Sequence, residues 1–237
     1  MLPHAWWLMA GVVGMYVYDA ALLLYHNEIV FFQRRDGRWS FSAGSDFELA
    51  GRHVYIPPLL GTDRLLLRLR WSSQHVPCTD APLRGLRAWR AGVAATTLPV
   101  ALVTVLFALM PTVLFTSAWA LLMWMLVLYA TIGVAVWRAW RVRKLTGLHG
   151  KAFASLASDA LLCAPYALNL VRKQGLHATA RFDLVAVAHA LLDADERGRL
   201  TATIHARLQR QMDLEDLDSE RHAQLQTYLQ QIEGALA

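Results

Sequence analysis

The chain has 237 residues, of which 56% are hydrophobic and 17% are charged, and its formal net charge is +5. Soluble globular domains carry about 25% charged residues, so this composition favours an integral membrane protein and excludes a large soluble enzyme domain. The two cysteines, Cys78 and Cys163, form no CxxC pair and do not fit a disulfide framework.

The basic residues are concentrated in the first part of the chain. Residues 1–151 contain 15 Lys and Arg against 7 Asp and Glu, whereas residues 152–237 contain 8 against 11. A basic excess beside hydrophobic segments suits anionic lipid headgroups, and no nucleic-acid-binding motif is present. The sequence therefore predicts membrane lipids, with anionic headgroups, as partners, and predicts no nucleic acid.

Residues 1–25 are predicted to form the first transmembrane helix. Their apolar run contains a single acidic residue, Asp19, and Trp6 and Trp7 stand at one edge, as in an interfacial aromatic belt. A cleaved signal peptide is the alternative, but the basic start and the small-residue cleavage site are missing. An acid at membrane depth is costly, so Asp19 is the intramembrane polar candidate, for packing against a partner helix or for binding a proton or ion.

Residues 26–75 are predicted to form a cytoplasmic β module. In residues 64–71 alternate side chains fall on one face of a strand, namely Leu65, Leu67, Leu69 and Trp71, and the three arginines Arg64, Arg68 and Arg70 fall on the other. This alternation is typical of a half-buried strand. Asp36-Gly37, between two aromatic segments, is a strong hairpin-turn signal. We expect four or five short strands in an antiparallel meander, with an apolar face that a second surface must cover.

Residues 76–90 are predicted to be a basic linker, and the 47 residues 91–137 that follow contain no Asp, Glu, Lys, Arg or His. One bilayer crossing needs about 20 residues, so this run predicts a transmembrane hairpin with helices near 91–110 and 118–137. Both ends must lie on one side of the membrane, and basic ends prefer the cytoplasm. The expected basic anchors are Arg84, Arg87, Arg90, Arg138, Arg141, Arg143 and Lys144.

The remaining residues are predicted to lie on the cytoplasmic side. Residues 138–151 form a basic collar, and residues 152–173 are interpreted as an amphipathic helix in the membrane plane, with a fourth span as the alternative. Residues 174–237 show helical spacing of apolar residues. They are predicted to form a cytoplasmic helical tail of three helices, near 180–193, 201–213 and 219–235.

Two patterns in the tail resemble metal sites. The segment 193–198 matches the start of an EF-hand loop, but Arg197 and Ile204 stand where oxygen ligands are needed. His189 and Asp193 are one helical turn apart, which supplies only two ligands. Nucleophile-elbow, Walker, Rossmann and kinase motifs are all missing. The sequence therefore predicts no catalytic residue, no metal and no cofactor.

The segments 23–28, 44–46 and 68–71 together resemble a group of uncharacterised proteobacterial inner-membrane proteins. The resemblance covers roughly the first third of the chain. It implies a location in the bacterial inner membrane and carries no activity with it.

The predicted fold is a membrane α-helical protein with three transmembrane helices, a small antiparallel β meander between the first and second helices, and a helical cytoplasmic C-terminal region. The chain is expected to be multi-pass, with its N-terminus outside and its C-terminus in the cytoplasm. The leading functional hypothesis is a non-enzymatic accessory or scaffold protein that binds unidentified protein partners or itself at the cytoplasmic face. Two alternatives stay open: a subunit of an oligomeric transporter or channel using Asp19, and a membrane enzyme acting on lipid-linked substrates, whose candidate polar residues are Asp19, Asp159 and His189.

Overall fold

The protein is described from a computed structural model, which covers residues 2–59, 61–72, 84–114, 116–176, 182–216 and 219–236. The described chain is mostly helical, with a small antiparallel β meander near the N-terminus. Its internal contacts divide it into two compact units, the helical unit and the mixed unit. The helical unit consists of Met1–Ala21, Ile56–Leu66 and Arg87–Ala178, and the mixed unit consists of Leu22–Tyr55, Leu67–Leu86 and Thr179–Ala237.

The helical unit is built from α-helices and one 3-10 helix. These are α1 (Leu2–Ala20), α2 (Arg84–Leu114, from Arg87 onward in this unit), α3 (Ala118–Thr146), α4 (Gly150–Leu162), the 3-10 helix Ala164–Asn169, and α5 (Leu170–Leu176). Side chains from α1, α2, α3, α4 and the 3-10 helix share one apolar core. Its buried members are Tyr16, Val103, Leu128, Ile132, Ala160, Ala167 and Leu168.

Two helices are long and apolar enough to cross a bilayer, in the part of the chain that the structure describes. They are Gly85–Leu114 and Ala118–Thr146, and only 33% and 17% of their most apolar windows are buried within the protein. The core helix of a soluble domain would be mostly buried, so these helices present large exposed apolar faces. Helix α1, with 19 residues, is shorter and is not among these two, so two of the three predicted spans correspond to helices of this kind in the described residues.

Several predicted boundaries were wrong. Helix α1 ends at Ala20 rather than at residue 25, because the chain enters a strand at Leu22. Helix α2 begins at Arg84, so the second half of the predicted linker 76–90 is helical. Helix α3 continues through the collar residues and ends where Gly147 takes a left-handed conformation with φ of 77°.

The prediction of one continuous helix over residues 152–173 was also wrong. Helix α4 stops at Leu162, and the 3-10 helix then carries Pro165 near its start before α5 begins. Proline lacks the N–H that an α-helix needs at an interior position and clashes with the preceding turn, so the helix breaks there. The break turns Asn169, which is 1% exposed, and Arg172, which is 4% exposed, into the interior.

The mixed unit contains six short strands and three helices in the described residues. The strands are β1 (Leu22–Leu24), β2 (Glu28–Gln33), β3 (Trp39–Ser42), β4 (Glu48–Leu49), β5 (Arg52–Tyr55) and β6 (Leu66–Arg70, from Leu67 onward in this unit). They form two three-stranded sheets with the orders β1-β5-β4 and β3-β2-β6. The Asp36-Gly37 turn joins β2 and β3 as predicted, with Phe31 opposite Phe41, and Gly37 has a φ of 81°.

The three predicted tail helices are present as α6 (Leu184–Leu191), α7 (Ala194–Met212) and α8 (Glu220–Leu236). Asp183 and Asp193 cap the first two of them, each accepting main-chain N–H groups at the helix start. Buried apolar residues recur along the inner faces of the helices, among them Leu200, Ile204, Leu208, Leu225 and Ile232. Helix α7 also contacts β3, so the tail lies against one of the small sheets.

Candidate functional site

Arg207 joins the tail to the strands of the mixed unit. Its guanidinium, on α7, donates hydrogen bonds to the main-chain carbonyls of His26 at 2.9 Å, Glu28 at 3.3 Å, and Ala43. These three acceptors lie in the β1–β2 turn, at the start of β2 and just after β3. One arginine therefore ties three separated parts of the β module to a tail helix.

A second connection runs from β3 to the start of α7. The Ser40 hydroxyl donates to the Glu196 carboxylate at 3.0 Å, and these two residues are only 6% and 7% exposed. Arg199 pairs with the same carboxylate at 2.8 Å, and Arg34 stands 3.9 Å away. This contact therefore ties β3 to the first turn of α7.

Glu28 is the most deeply buried acid of the mixed unit in the described residues, at 1% exposure. Its carboxylate accepts from the Tyr25 N–H at 2.9 Å, pairs with Arg70 at 2.6 Å, and also pairs with Arg68. Burial raises the pKa of this carboxyl, but the hydrogen bonds from Arg68, Tyr25 and Arg70 outweigh burial, and the net pKa is lowered. The ionised form is therefore the one built into the fold.

Glu28→Gln is expected to weaken the mixed unit at neutral pH and to flatten its response to acid. A lowered folded-state pKa stabilises the native state above the unfolded-state value, and this stabilisation is lost as pH falls through the folded-state pKa. The amide removes both the ion pairs and this pH dependence, at a cost of about 2 kcal/mol near neutrality. Thermal unfolding in detergent from about pH 7 to about pH 2 measures both effects, because the stabilisation is lost below the ordinary glutamate pKa.

The control for Glu28→Gln is Asp46→Asn, which alters an exposed acid in the same unit. This variant should unfold as the wild type does at every pH. Equal acid sensitivity of Glu28→Gln and the wild type would contradict the role given to Glu28.

A polar cleft of about 500 Å³ opens within the mixed unit. Its lining includes His26 and Asn27 of the β1–β2 turn and Glu220 and Arg221 of the first turn of α8. Buried Trp71, Leu208 and Leu225 form the apolar part of its lining. The volume is within the range of small-molecule sites, whereas the lining is more polar than apolar. No sequence motif pointed to this cleft, because its walls come from segments far apart in the chain.

Asp19 lies in the helical unit and has partners there. Its carboxylate pairs with Lys173 at 2.6 Å and accepts from the Asn169 amide at 3.0 Å. Lys173 is also 3.6 Å from the carboxylate of Asp159. The lysine therefore bridges two acids on different helices, which gives Asp19 a clear packing role. The transport hypothesis, which required Asp19 to bind a proton or ion, gains no support from this arrangement.

Arg172 is the central polar residue of the helical unit, and sequence reasoning missed it. Its guanidinium donates to the Tyr16 hydroxyl at 2.8 Å, to Asn169 Oδ1 at 3.1 Å, and to the carbonyls of Pro58 at 2.5 Å and Gly61 at 3.1 Å. The sequence showed only an Arg-Lys pair at the end of an apolar segment, which is also what a membrane-surface anchor looks like. The interruption by Pro165 was the available signal that these residues turn inward.

Two of the predicted basic anchors on α3 form cation–π contacts with tryptophan rings. The Arg141 guanidinium lies 4.8 Å from the Trp137 ring centre, and that of Arg143 lies 3.3 Å from the Trp140 ring centre. Both rings are about half exposed, at 52% and 44%. Cation–π pairs at a helix end, with exposed rings, are suited to the polar–apolar boundary of a bilayer.

The other predicted anchors take different positions. Arg138 donates to the carbonyl of Ala95 on α2 at 3.2 Å, so it also holds the two long helices together. Lys144 is exposed at the end of α3, and Arg87 and Arg90 are exposed near the start of α2. Arg84 is the first residue of α2, and its side chain is outside the described part.

The patterns that resembled metal sites have structural uses. Asp193 accepts the Glu196 N–H as the α7 cap, and His189 bonds through its Nε2 to the carbonyl of Ala235 at 2.7 Å. Across the described residues, no group of three or more His, Cys, Asp or Glu side chains could hold a metal ion. Cys163 is a free cysteine, and Cys78 lies outside the described residues.

No family model, no curated protein and no solved structure matches this chain.

Proposed function

We propose that this protein is a non-enzymatic, multi-pass scaffold of the bacterial inner membrane, whose mixed unit binds partner proteins at the cytoplasmic face. In this proposal α2 and α3 cross the bilayer as a hairpin, and α1 is the third span. The observation that carries the proposal is that the two units contain different kinds of elements. The helical unit contains nearly all of both span-capable helices, whereas the mixed unit contains the strands and the tail helices as one compact unit.

Three features support this reading. The span-capable helices are largely exposed and apolar along their length, as lipid contact requires. Their basic ends favour the cytoplasmic side by the positive-inside rule. Arg207, Ser40 and Glu196 make the β module and tail a single unit rather than two loose segments, and a rigid unit presents a defined surface at low entropic cost.

Reporter fusions after residues 26, 113, 149 and 237 test the proposed topology. A cytoplasmic signal is expected after 26, 149 and 237, and an outside signal after 113. Outside signals after residues 149 and 237 would overturn the cytoplasmic scaffold.

Cross-linking and pull-down of the intact chain from mild detergent then test partner binding. Arg207→Ala should reduce partner recovery with the membrane insertion unchanged, because it loosens the mixed unit alone. Recovery of a monodisperse protein without any partner, in several detergents, would overturn partner recruitment.

The collar on α3 is expected to bind anionic lipid. Removing the positive charges of Arg141, Arg143 and Lys144 together by substitution with Ala should weaken phosphatidylglycerol binding. Each surface charge contributes roughly 1 kcal/mol, so the dissociation constant should rise by about 100-fold. Native mass spectrometry of the detergent-solubilised protein with added phosphatidylglycerol measures the loss.

A matched control for the lipid experiment removes three exposed arginines from the mixed unit, by Ala substitution of Arg35, Arg38 and Arg210. The net charge changes equally in the two triple variants. The control should retain phosphatidylglycerol as the wild type does. An equal loss in both variants would show that net charge, and not the collar, determines lipid binding.

A further inference from the structure

The β1-β5-β4 sheet has one face that is largely apolar and exposed. On this face Leu23 lies opposite Val54, and Leu49 lies opposite Arg52. Phe47 precedes β4, and its carbonyl accepts the Val54 N–H at 3.2 Å, which extends the face beyond the strand. These residues form the outer face. Its Leu23, Leu49 and Phe47 side chains are 36%, 51% and 64% exposed, although the solvent side of an antiparallel sheet usually carries polar side chains.

The charge on the outer face is positive. Arg52 supplies it, and among the described residues it pairs with no carboxylate. Its guanidinium instead donates to the Tyr25 hydroxyl at 2.6 Å and lies 4.3 Å from the centre of that ring. Side chains alternate along a strand, so Glu48 of β4 lies on the opposite face, where its carboxylate is 3.7 Å from His53. No acid of β1, β4 or β5 therefore shares the outer face with Arg52.

A second arginine adds positive charge beside the outer face. The Arg70 guanidinium lies 5.4 Å from the centre of the Tyr25 ring, and its side chain is 54% exposed. Arg70 and Arg68 share the single carboxylate of Glu28, so these three side chains have an excess of one positive charge. Arginine beside a partly exposed tyrosine suits the headgroup region of a bilayer, where the ring meets the apolar boundary and the guanidinium meets phosphate.

The outer face is too small to hold a protein partner by itself. Its longest strand has 4 residues. Strands rise about 3.4 Å per residue and lie about 4.8 Å apart, so the three strands cover roughly 200 Å². A stable protein interface buries about 800 Å² on each partner. A second copy of this chain, or another protein, would need a contact much larger than this face.

A bilayer needs no such area, because very short connections join the sheet to the proposed spans. Only Ala21 separates α1 from β1, and β5 ends at Tyr55, immediately before the helical unit resumes at Ile56. The first residues of α2, Arg84–Leu86, also belong to the mixed unit. A tethered surface meets its target at a high effective concentration, so a few side chains are enough for binding.

We infer that the outer face lies on a bilayer surface that contains anionic lipid, with Phe47 and Leu49 in the interfacial region and Arg52 against lipid phosphate groups. This inference rests on the proposed membrane location. It goes beyond that location by giving the mixed unit a lipid-binding surface of its own, in addition to the collar on α3.

Fluorescence quenching of the full chain in lipid nanodiscs tests the inference. Both native cysteines are replaced by serine (Cys78→Ser and Cys163→Ser), and a bimane label is attached after Phe47→Cys. Lipids with a nitroxide on the acyl chain quench the labels that reach the bilayer. Leu126→Cys, 57% exposed on α3, is the reference for a proposed span. Leu214→Cys, 88% exposed among acidic residues that follow α7, is the control within the mixed unit.

In discs that contain phosphatidylglycerol, the labels at positions 47 and 126 should be quenched, and the label at position 214 should not. Quenching at position 47 should fall several-fold in discs of phosphatidylcholine alone, whereas quenching at position 126 should stay the same. A label attached after Leu49→Cys should behave like the label at position 47.

Three outcomes would overturn the inference. Quenching at position 126 without quenching at positions 47 and 49 would remove the lipid contact of the outer face and leave the membrane location standing. A label at position 47 whose emission is shifted to the blue but which lipid does not quench would show that a protein covers the face. Absence of quenching at position 126 would overturn the proposed membrane location, and the inference with it.

A charge variant tests the part played by Arg52. In discs that contain phosphatidylglycerol, Arg52→Gln should lower the ratio of quenched to unquenched label at position 47 by about 5-fold, as expected for one surface charge. Arg210→Gln is the matched control, because it removes an exposed arginine from α7 in the same unit. It should leave the ratio unchanged. An equal loss in both variants, or no loss in Arg52→Gln, would overturn the contact between Arg52 and lipid phosphate.

Discussion

Arg172→Met is expected to destabilise the helical unit strongly and to release residues 56–65 from it. In the wild type the guanidinium is 4% exposed and supplies donors to the carbonyls of Pro58 and Gly61. Methionine fills a similar volume but donates no hydrogen bond, so these carbonyls, the Tyr16 hydroxyl and the Asn169 amide oxygen lose a partner. A buried acceptor without a partner costs about 1–3 kcal/mol. With several acceptors affected, the expected loss is about 3 kcal/mol or more.

Two measurements report the loss of stability in Arg172→Met. The midpoint of thermal unfolding in detergent should fall by about 10 °C, because about 1 kcal/mol corresponds to 2–4 °C in a chain of this size. Trypsin should cleave after Arg64 faster than in the wild type, because that residue lies in the released segment. Arg172→Lys should be intermediate, since one ammonium group cannot reach all four oxygens that the guanidinium fork bridges.

The control for Arg172 is Lys151→Met, which removes an exposed charge from α4 in the same unit. It should change neither the unfolding midpoint nor the cleavage after Arg64. If Arg172→Met left the cleavage rate unchanged, Arg172 would not be what holds residues 56–65 in place.

Gly175→Ala is expected to have the second large effect. A Cβ atom at position 175 would overlap the carbonyl oxygen of Leu66 and lie 2.8 Å from its carbonyl carbon. Both atoms belong to the main chain, so no side-chain rotation can relieve the contact. Either α5 or the start of β6 must move, and the expected cost is about 3 kcal/mol. The neighbouring contact between Thr96 and Gln174, at 3.3 Å, should be lost with that movement.

The unfolding midpoint of Gly175→Ala in detergent should therefore fall by about 10 °C. Gly133→Ala is the matched control, because the added methyl group meets nothing within 4 Å on α3. Alanine is favoured over glycine inside a helix by about 1 kcal/mol, so the control should be unchanged or slightly more stable. Equal midpoints for Gly175→Ala and the wild type would show that α5 and β6 do not approach so closely in solution.

The local patterns of the sequence predicted the elements well where each element depends on its own residues. The uncharged run 91–137 predicted two long apolar helices, and the alternation in 64–71 together with Asp36-Gly37 predicted the strands and their hairpin. These signals are periodic and short-range, so they appear within one window of the chain. The boundaries were less accurate, because α2 and α3 continue into the basic segments that were predicted to be a linker and a collar.

The long-range polar contacts within each unit could not be predicted in the same way. Arg172 and Tyr16 are 156 positions apart, as are Ser40 and Glu196. Nothing in the spacing of nearby residues identifies such a partner. A lone arginine at the end of an apolar segment has the same local pattern whether it anchors the chain at a membrane surface or donates hydrogen bonds inside the fold.

The amino-acid sequence by itself determined which segments are apolar enough to span a membrane, which form strands, and which form the helical tail. The tertiary structure alone decided that the strands and the tail share one unit, that a polar cleft opens in it, and that Asn169 and Arg172 turn inward. The physical reason is that secondary structure follows from side-chain periodicity along the chain. Burial of a charge or the shape of a cleft instead depends on which distant segments come together.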